Sequence, residues 1–187
     1  MPPLFVTKFV TTDDELVQIA ALSDANLVSN VSDDTKGKEG FVTWAYTPEI
    51  LRSLHAVTPS VIVKHNNQVA GYALVLPQEA AQLYPPLAGV LQYFKEHVTY
   101  QGKPVSDYRF YVMGQVCVHP QFRGQGVFDK LYQFHREQLA GQYDFILTEI
   151  STRNLRSQRA HERVGFTTIH TYHDNMDEWN VVLWNFM

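Results

Sequence analysis

The chain has 187 residues, of which 45% are hydrophobic and 18% are charged, and its formal net charge is −4. This size fits one globular domain, and no stretch approaches the roughly 20 apolar residues of a membrane-spanning helix. The single cysteine excludes an internal disulfide, and the negative charge argues against non-specific binding to nucleic acid. The N-terminus has no basic segment followed by an apolar run. We therefore expect one domain over residues 1–187, no membrane association and a cytoplasmic location.

The first part of the chain predicts a strand, a helix and then a hairpin. Residues 4–10 are rich in β-branched and aromatic side chains, which favours a strand. Thr12 and Glu15 have the spacing of a capping box, which predicts that a helix begins here. A second short helix should begin at Pro48. Residues 60–76 then predict a β-hairpin, because two apolar runs flank a pair of asparagines that suit a tight turn.

Residues 77–107 interrupt this regular pattern and contain one further helical segment. The stretch is long for a simple connection, so we predict that it is an insertion on the substrate side of the molecule. Four of its aromatic side chains either line a pocket or pack the insertion onto the sheet, and both interpretations remain open: Tyr84, Tyr93, Phe94 and Tyr100.

The second half predicts the element order β-α-β-α-β-β, which implies a mixed sheet with helices packed on its faces. The last strand is apolar on both faces, so it either pairs across a homodimer or belongs to the core of a monomer. The predicted strands cover residues 108–118, 144–151, 167–172 and 179–186, and the helices cover residues 126–140 and 154–164.

The most informative segment is the loop after the strand at residues 108–118. Gly124 and Gly126 lie where this strand turns into an amphipathic helix. The first N–H groups of a helix lack internal partners and, with the helix dipole, bind phosphate groups well. Glycines let the backbone approach such an anion closely, and Arg123 adds positive charge. This loop is therefore a candidate phosphate or pyrophosphate site.

The motifs around this loop resemble those of the GNAT superfamily of N-acetyltransferases. Gln121-x-x-Gly124-x-Gly126, preceded by Val118-His119-Pro120, is similar to the family's acyl-CoA signature. Downstream, Glu149-Ile150-x-x-x-Asn154 and Val164-Gly165-Phe166 resemble its later CoA-site segment. The resemblance is specific over about residues 108–186. Neither a Walker lysine nor the third glycine of a Rossmann fingerprint is present.

The resemblance implies an α+β fold, with a mixed but mostly antiparallel sheet of about six or seven strands and helices on both faces. It implies acetyl-CoA as the acyl donor, no metal, and direct attack by an amine in a ternary complex. The implied CoA-binding positions are Val116, Cys117, Val118, Arg123, Gly124, Gln125, Gly126, Val127, Phe128, Asn154 and Ser157. Cys117 alternates with the two valines, so its side chain is expected on the opposite face of the sheet, buried rather than nucleophilic. Asn154 is also well placed to be only a helix cap.

Two residues are candidates for proton transfer. Many family members carry a tyrosine acid seven residues after the asparagine, and this chain has His161 there, on the same helix face as Asn154 and Ser157. We hypothesise that His161 is the general acid; the alternatives are that it binds near the cofactor sulfur or simply packs. Glu149 is the candidate general base, since burial in an apolar strand would raise its pKa. Two alternatives remain open: Glu149 forms a structural ion pair with an arginine, or a water chain acts as the base.

The acceptor is not identified by the sequence. A small-molecule amine and a protein N-terminus both remain open, and the acidic first half of the chain leans towards a cationic small molecule. A second hypothesis is a non-catalytic protein that binds or senses acyl-CoA on the same fold. The arginines at 156, 159 and 163 form a helical stripe that either meets the CoA 3′-phosphate or is simply solvated. The histidines lack metal-ligand spacing.

Overall fold

The computed structural model describes residues 4–33, 36 and 40–186. In chain order the elements are β1 (Phe5–Phe9), α1 (Asp13–Ala25), α2 (Pro48–Val57), β2 (Val61–His65), β3 (Gln68–Pro77), α3 (Pro85–His97), β4 (Thr99–Tyr100), β5 (Lys103–Pro104), β6 (Phe110–Val118), α4 (Val127–Leu139), β7 (Phe145–Ser151), α5 (Leu155–Val164), β8 (Thr167–His173) and β9 (Glu178–Asn185).

Seven strands form one sheet in the order β1-β2-β3-β6-β7-β9-β8, and only the β6–β7 pair is parallel. Helices α1, α2 and α3 pack against the sheet, and the core between them includes Ile19, Leu51 and Phe94. Helices α4 and α5 pack against a second core that includes Leu131 and Tyr132. The predicted α+β fold, with a mostly antiparallel sheet and helices on both faces, is confirmed.

Local sequence signals account for where several elements begin and end. The Thr12 hydroxyl accepts from the Glu15 N–H while the Glu15 carboxylate accepts from the Thr12 N–H, which is the predicted capping box. Asn66 takes a φ of 54° at the β2–β3 turn, and Gly165 takes 111° where α5 ends. Asparagine and glycine tolerate this left-handed conformation better than other residues.

Within the segment 77–107, β4 and β5 pair as a short hairpin. Of the two alternatives for the last strand, the core position is the observed one, because β9 is hydrogen-bonded to β7 on one side and to β8 on the other. Its two apolar faces belong to the two cores of the sheet. Among the described helices, none has the length and apolar character needed to cross a bilayer.

Candidate active site

The site begins where the two parallel strands separate. Strands β6 and β7 pair only from Phe110 with Phe145 to Val112 with Leu147. Just beyond, the Thr148 hydroxyl donates to the Met113 carbonyl at 2.9 Å, so a side chain replaces a ladder bond. The strands then diverge, and two cavities lie along the cleft between them.

The loop that follows β6 has an open, glycine-dependent backbone. Gly124 and Gly126 take φ values of 72° and 77°, which other residues adopt only with strain. Gly126 precedes α4 and supplies no side-chain cap, so the first N–H groups of this helix remain available to a ligand. In the described part of the chain, no atom beyond the adjacent residues lies within 4 Å of the position a Cβ would take on either glycine, which leaves room for an anion beside the backbone.

The first cavity, here called the loop cavity, has a volume of about 390 Å³ and is bounded by this loop. Gln125 does not line it, because its side-chain amide turns away and donates to the Gln121 carbonyl at 2.9 Å. The other predicted CoA-binding residues line the cavity together: Val116, Cys117, Val118, Arg123, Gly124, Gly126, Val127, Phe128, Asn154 and Ser157. Ten of the eleven CoA-binding positions predicted from the sequence therefore lie along this one cavity.

Arginines from α5 also reach the loop cavity. Arg156 and Arg163 line it, and Arg163 Nη1 lies 2.6 Å from Asp129 Oδ1 in an ion pair. Arg159 is exposed and lies outside the lining. The predicted arginine stripe is therefore divided between the cavity and the solvent.

Two of the predicted CoA-binding residues, Arg123 and Asn154, connect the loop cavity to the first part of the chain through hydrogen bonds. Arg123 donates through Nη2 to the Asn26 side chain at 2.9 Å and through Nε to the Val118 carbonyl at 3.3 Å. Asn154 caps α5 by accepting from the Ser157 N–H, and its amide donates to the Phe41 carbonyl at 3.0 Å. The cap interpretation of Asn154 is confirmed, and its bond to pantetheine stays a prediction.

Cys117 faces away from its valine neighbours, as the alternation along β6 predicts. Its side chain belongs to the core beneath α1–α3, whereas Val116 and Val118 pack towards α4. Burial raises the pKa of the Cys117 thiol to about 12. The thiol is therefore protonated at neutral pH and is not a nucleophile.

The second cavity, here called the aromatic cavity, has a volume of about 380 Å³ and lies on the other side of Asn154 and Ser157. Its wall is assembled from separate segments of the chain. These are residues 41–44, the exposed side of α3, the diverging parts of β6 and β7, the start of α5, and the β8–β9 turn with its flanks. Val116, Asn154 and Ser157 line both cavities, so the two spaces meet there.

Glu149 contributes its carboxylate to the aromatic cavity. Burial raises its pKa to about 7, and the nearby Asp174 carboxylate adds to the rise. The Tyr172 hydroxyl donates to Glu149 and holds the pKa down in part. Within the described residues no arginine pairs with Glu149, so the ion-pair alternative finds no support. A carboxylate that titrates near neutrality is suited to accept a proton.

His161 also lines the aromatic cavity but is almost fully buried. Its Nδ1 lies 2.8 Å from the Ser157 carbonyl and 3.3 Å from the Ser157 hydroxyl. Its Nε2 lies 2.7 Å from the Tyr132 hydroxyl. Because the carbonyl can only accept, Nδ1 carries the proton and Nε2 accepts from Tyr132. Burial lowers the pKa of His161 to about 4, so the ring is neutral at neutral pH.

Sequence reasoning missed much of the aromatic cavity. Of the four aromatic residues proposed from the insertion, Tyr93 lines it, while the other three pack in or against the core. Trp44, Tyr172, Asp174 and Trp179 line it without having been singled out. Each lies far in sequence from the motif, and no local signal marks them. Three-residue clusters that would suit a metal ion are absent from the described part of the chain.

A comparison with family profiles matches residues 30–166 to the family described as "Acetyltransferase (GNAT) family". No curated protein matches the sequence significantly.

Solved structures share the fold at low sequence identity. The ribosomal-protein-S18-alanine N-acetyltransferase of Escherichia coli is 10% identical, with a TM-score of 0.63 over 98% of this chain and 94% of that one. YncA of Salmonella typhimurium, solved with its cofactor acetyl-CoA, is 14% identical, with a TM-score of 0.60 over 98% and 94%. A chain of the NatC complex bound to Gag peptide and CoA is 16% identical, with a TM-score of 0.66 over 99% of each chain.

Proposed function

Because the chain belongs to the GNAT family of N-acetyltransferases, we propose that it transfers the acetyl group of acetyl-CoA to an amine by direct attack in a ternary complex. The observation that carries this proposal is the meeting of two differently built cavities at Val116, Asn154 and Ser157. One is bounded by the glycine loop, and the other contains a carboxylate whose pKa lies near neutrality. A donor and an acceptor held on the two sides would meet at that junction.

The loop cavity suits acetyl-CoA, which supplies an activated thioester when bound. The backbone N–H groups at the start of α4 would hold the pyrophosphate, and Gly124 and Gly126 permit the close approach. Beyond Val112, the backbone of β6 is not paired with β7, so it offers hydrogen bonds to an extended, amide-containing arm. Asn154 at the junction would bind the same arm.

Glu149 is the proposed general base. Its carboxylate lies on the side of the aromatic cavity and titrates close to neutral pH. It accepts a proton from the incoming ammonium, directly or through one water, and so generates the neutral amine that attacks. The Tyr172 hydroxyl orients the carboxylate while this happens.

His161 is the proposed general acid, acting in its neutral form. With a pKa of about 4, the imidazolium is present at only about one part in a thousand at neutral pH. The ring lies between the Tyr132 hydroxyl and the Ser157 hydroxyl, which lines both cavities. The Ser157 hydroxyl would give its proton to the departing thiolate and regain one from Nδ1. The proton that the amine nitrogen loses as the amide forms would return to Nδ1 through the same hydroxyl, while Tyr132 stays protonated and holds the ring in this tautomer.

The first test is titration calorimetry with acetyl-CoA, CoA and ATP, followed by assays of CoA release with a panel of amines. We expect binding of both CoA species, no binding of ATP, and amine-dependent CoA release. Binding without release for any amine would favour the acyl-CoA sensor instead. Absence of CoA binding would overturn the proposed function.

The acid role has its own test. His161→Phe and Tyr132→Phe should both lower kcat by about 10- to 100-fold without weakening CoA binding. If turnover is unchanged in folded His161→Phe protein, then His161 only packs. If Tyr132→Phe alone is silent, the imidazole donates without the tyrosine. Thermal melting of each variant separates a catalytic loss from a loss of folding.

A further inference from the structure

Aromatic side chains form much of the wall of the aromatic cavity. Trp44 and Tyr93 enter from the two segments that cover it, and Tyr172 and Trp179 enter from β8 and β9. The rings of Tyr93 and Tyr172 stack with their centroids 4.1 Å apart, and the Tyr93 hydroxyl lies 3.0 Å from His170 Nε2. The stacked pair is therefore held in place before any ligand arrives, and it offers ring surface to an apolar body or to a cation.

Among the described residues, the charged side chains that line the aromatic cavity are all acidic. Glu149 and Asp174 line the cavity, and the described lining residues include no lysine or arginine. Two arginines are adjacent in sequence to lining residues: Arg153 is exposed, with its Nη2 2.7 Å from Asp177 Oδ2, and Arg156 lines the loop cavity instead. An anionic group that entered the cavity would face two carboxylates without a counter-charge on the described wall.

The indole N–H of Trp179 is buried on this wall and lies close to the Asp174 carboxylate. The cavity thus combines ring surfaces with two carboxylates.

We propose that the acceptor is a small amine on an apolar or aromatic skeleton that carries no carboxylate or phosphate. This inference rests on the proposed acetyl transfer and specifies its acceptor. The ammonium is attracted by the carboxylates and ring faces before Glu149 removes its proton. A carboxylate on the same skeleton would meet Glu149 and Asp174, and such like-charge contacts lower affinity by about 100-fold or more.

The experiment compares amines that differ by one group. The main series is tyramine, tyrosine and tyrosinamide, in which tyrosinamide keeps the size of tyrosine but has a neutral amide in place of the carboxylate. Cadaverine and lysine form an aliphatic pair. We expect kcat/KM for tyramine to exceed that for tyrosine by about 100-fold, with tyrosinamide close to tyramine and cadaverine above lysine. Calorimetry on the CoA-loaded protein should give the same ranking of affinities without turnover.

A charge-removing variant tests the cause. Asp174→Asn keeps an oxygen to accept from the N–H groups of Met176 and Asp177, and should lower the tyramine-to-tyrosine ratio by about ten-fold. Its effect on CoA affinity should be negligible. The matched control is Asp107→Asn, which removes an exposed carboxylate outside the cavity and should leave the ratio unchanged.

The outcomes separate this inference from the proposed function. Equal rates for tyramine and tyrosine, or acetylation of a peptide N-terminus alone, would overturn the acceptor class and leave acetyl transfer standing. Selective binding of the uncharged-body amines without CoA release would support the acceptor class and overturn the transfer. If no amine binds and none reacts, both fail.

Discussion

The two cavities differ in how the chain builds them. One wall of the loop cavity is a nearly continuous run from the end of β6 into α4, and much of its proposed chemistry lies in backbone N–H groups and glycine conformation. The aromatic cavity is assembled from distant segments, and its properties lie in side chains such as Glu149 and Tyr172. The donor side is thus set by local backbone geometry, whereas the acceptor side is set by tertiary packing. Substitutions on the two sides should therefore separate donor binding from chemistry and acceptor selection.

Among these substitutions, Glu149→Gln should have the largest effect on catalysis. Loss of the general base should lower kcat by about 100-fold or more while CoA affinity stays the same. In the unaltered protein, activity should rise with pH through about 7 and then level off, because only the ionised carboxylate accepts a proton. Steady-state rates across pH and calorimetry with CoA measure both.

Glu162→Gln is the matched control for this variant. Glu162 is exposed on α5, outside both cavities, and its replacement should leave the pH profile unaltered. An unchanged profile in Glu149→Gln itself would rule out the assigned base.

The next effect is on the donor side, at Gly126. Valine there must adopt a φ of 77°, and this left-handed conformation costs about 1–2 kcal/mol for a residue with a Cβ. We expect the Gly126→Val variant to bind CoA about ten-fold more weakly, with little change in the KM for the amine. Gly126→Asn, which tolerates the conformation, should retain most of the affinity. Equal affinities in the two variants would show that the conformation of this residue does not control binding.

A smaller and more specific effect is expected from Tyr172→Phe. The Tyr172 hydroxyl lowers the pKa of Glu149 by donating to it, so its removal should raise that pKa. The pH midpoint of the rate should then move upwards, and the plateau rate at high pH should be largely retained. Tyr143→Phe, which alters a tyrosine outside both cavities, serves as the control. A midpoint that stays in place or falls would contradict the coupling between these two residues.

Asn154→Ala should have the smallest effect, and it tests the junction of the two cavities. Loss of the α5 cap should lower the free energy of unfolding by about 1 kcal/mol. The variant also loses the bond to the Phe41 carbonyl, so donor and acceptor affinities should both fall. Chemical denaturation and the two binding titrations distinguish these contributions. Asn154→Asp, which can still cap, should restore stability without restoring the bond to Phe41.

The sequence allowed prediction of features whose cause is local. Thr12 and Glu15 form the capping box within one helical turn, and Gly165 ends α5 where a left-handed residue is needed. The glycine loop is recognisable for the same reason, since glycine spacing and a following helix are both visible along the chain. Most of the predicted loop-cavity residues accordingly lie together.

Features that depend on packing between distant segments could not be predicted. The Tyr132 hydroxyl contacts His161 across 29 positions of sequence, and Tyr172 contacts Glu149 across 23. No periodicity or motif marks such pairs. The same limit applies to β9, whose apolar pattern fits both an exposed edge and the interior position it occupies. Sequence therefore supplied candidate acid and base residues but not the partners that set their protonation.

The separation of β6 and β7 also links the stability of this protein to its ligands. Past Val112 and Leu147 the sheet lacks the ladder that its central strands would otherwise form. A ligand that occupies this gap binds only the folded chain, and at 100 times its dissociation constant it adds about 2.7 kcal/mol to the folding free energy. The melting temperature should therefore rise with acyl-CoA concentration, and resistance to proteolysis should report how much of the protein is loaded.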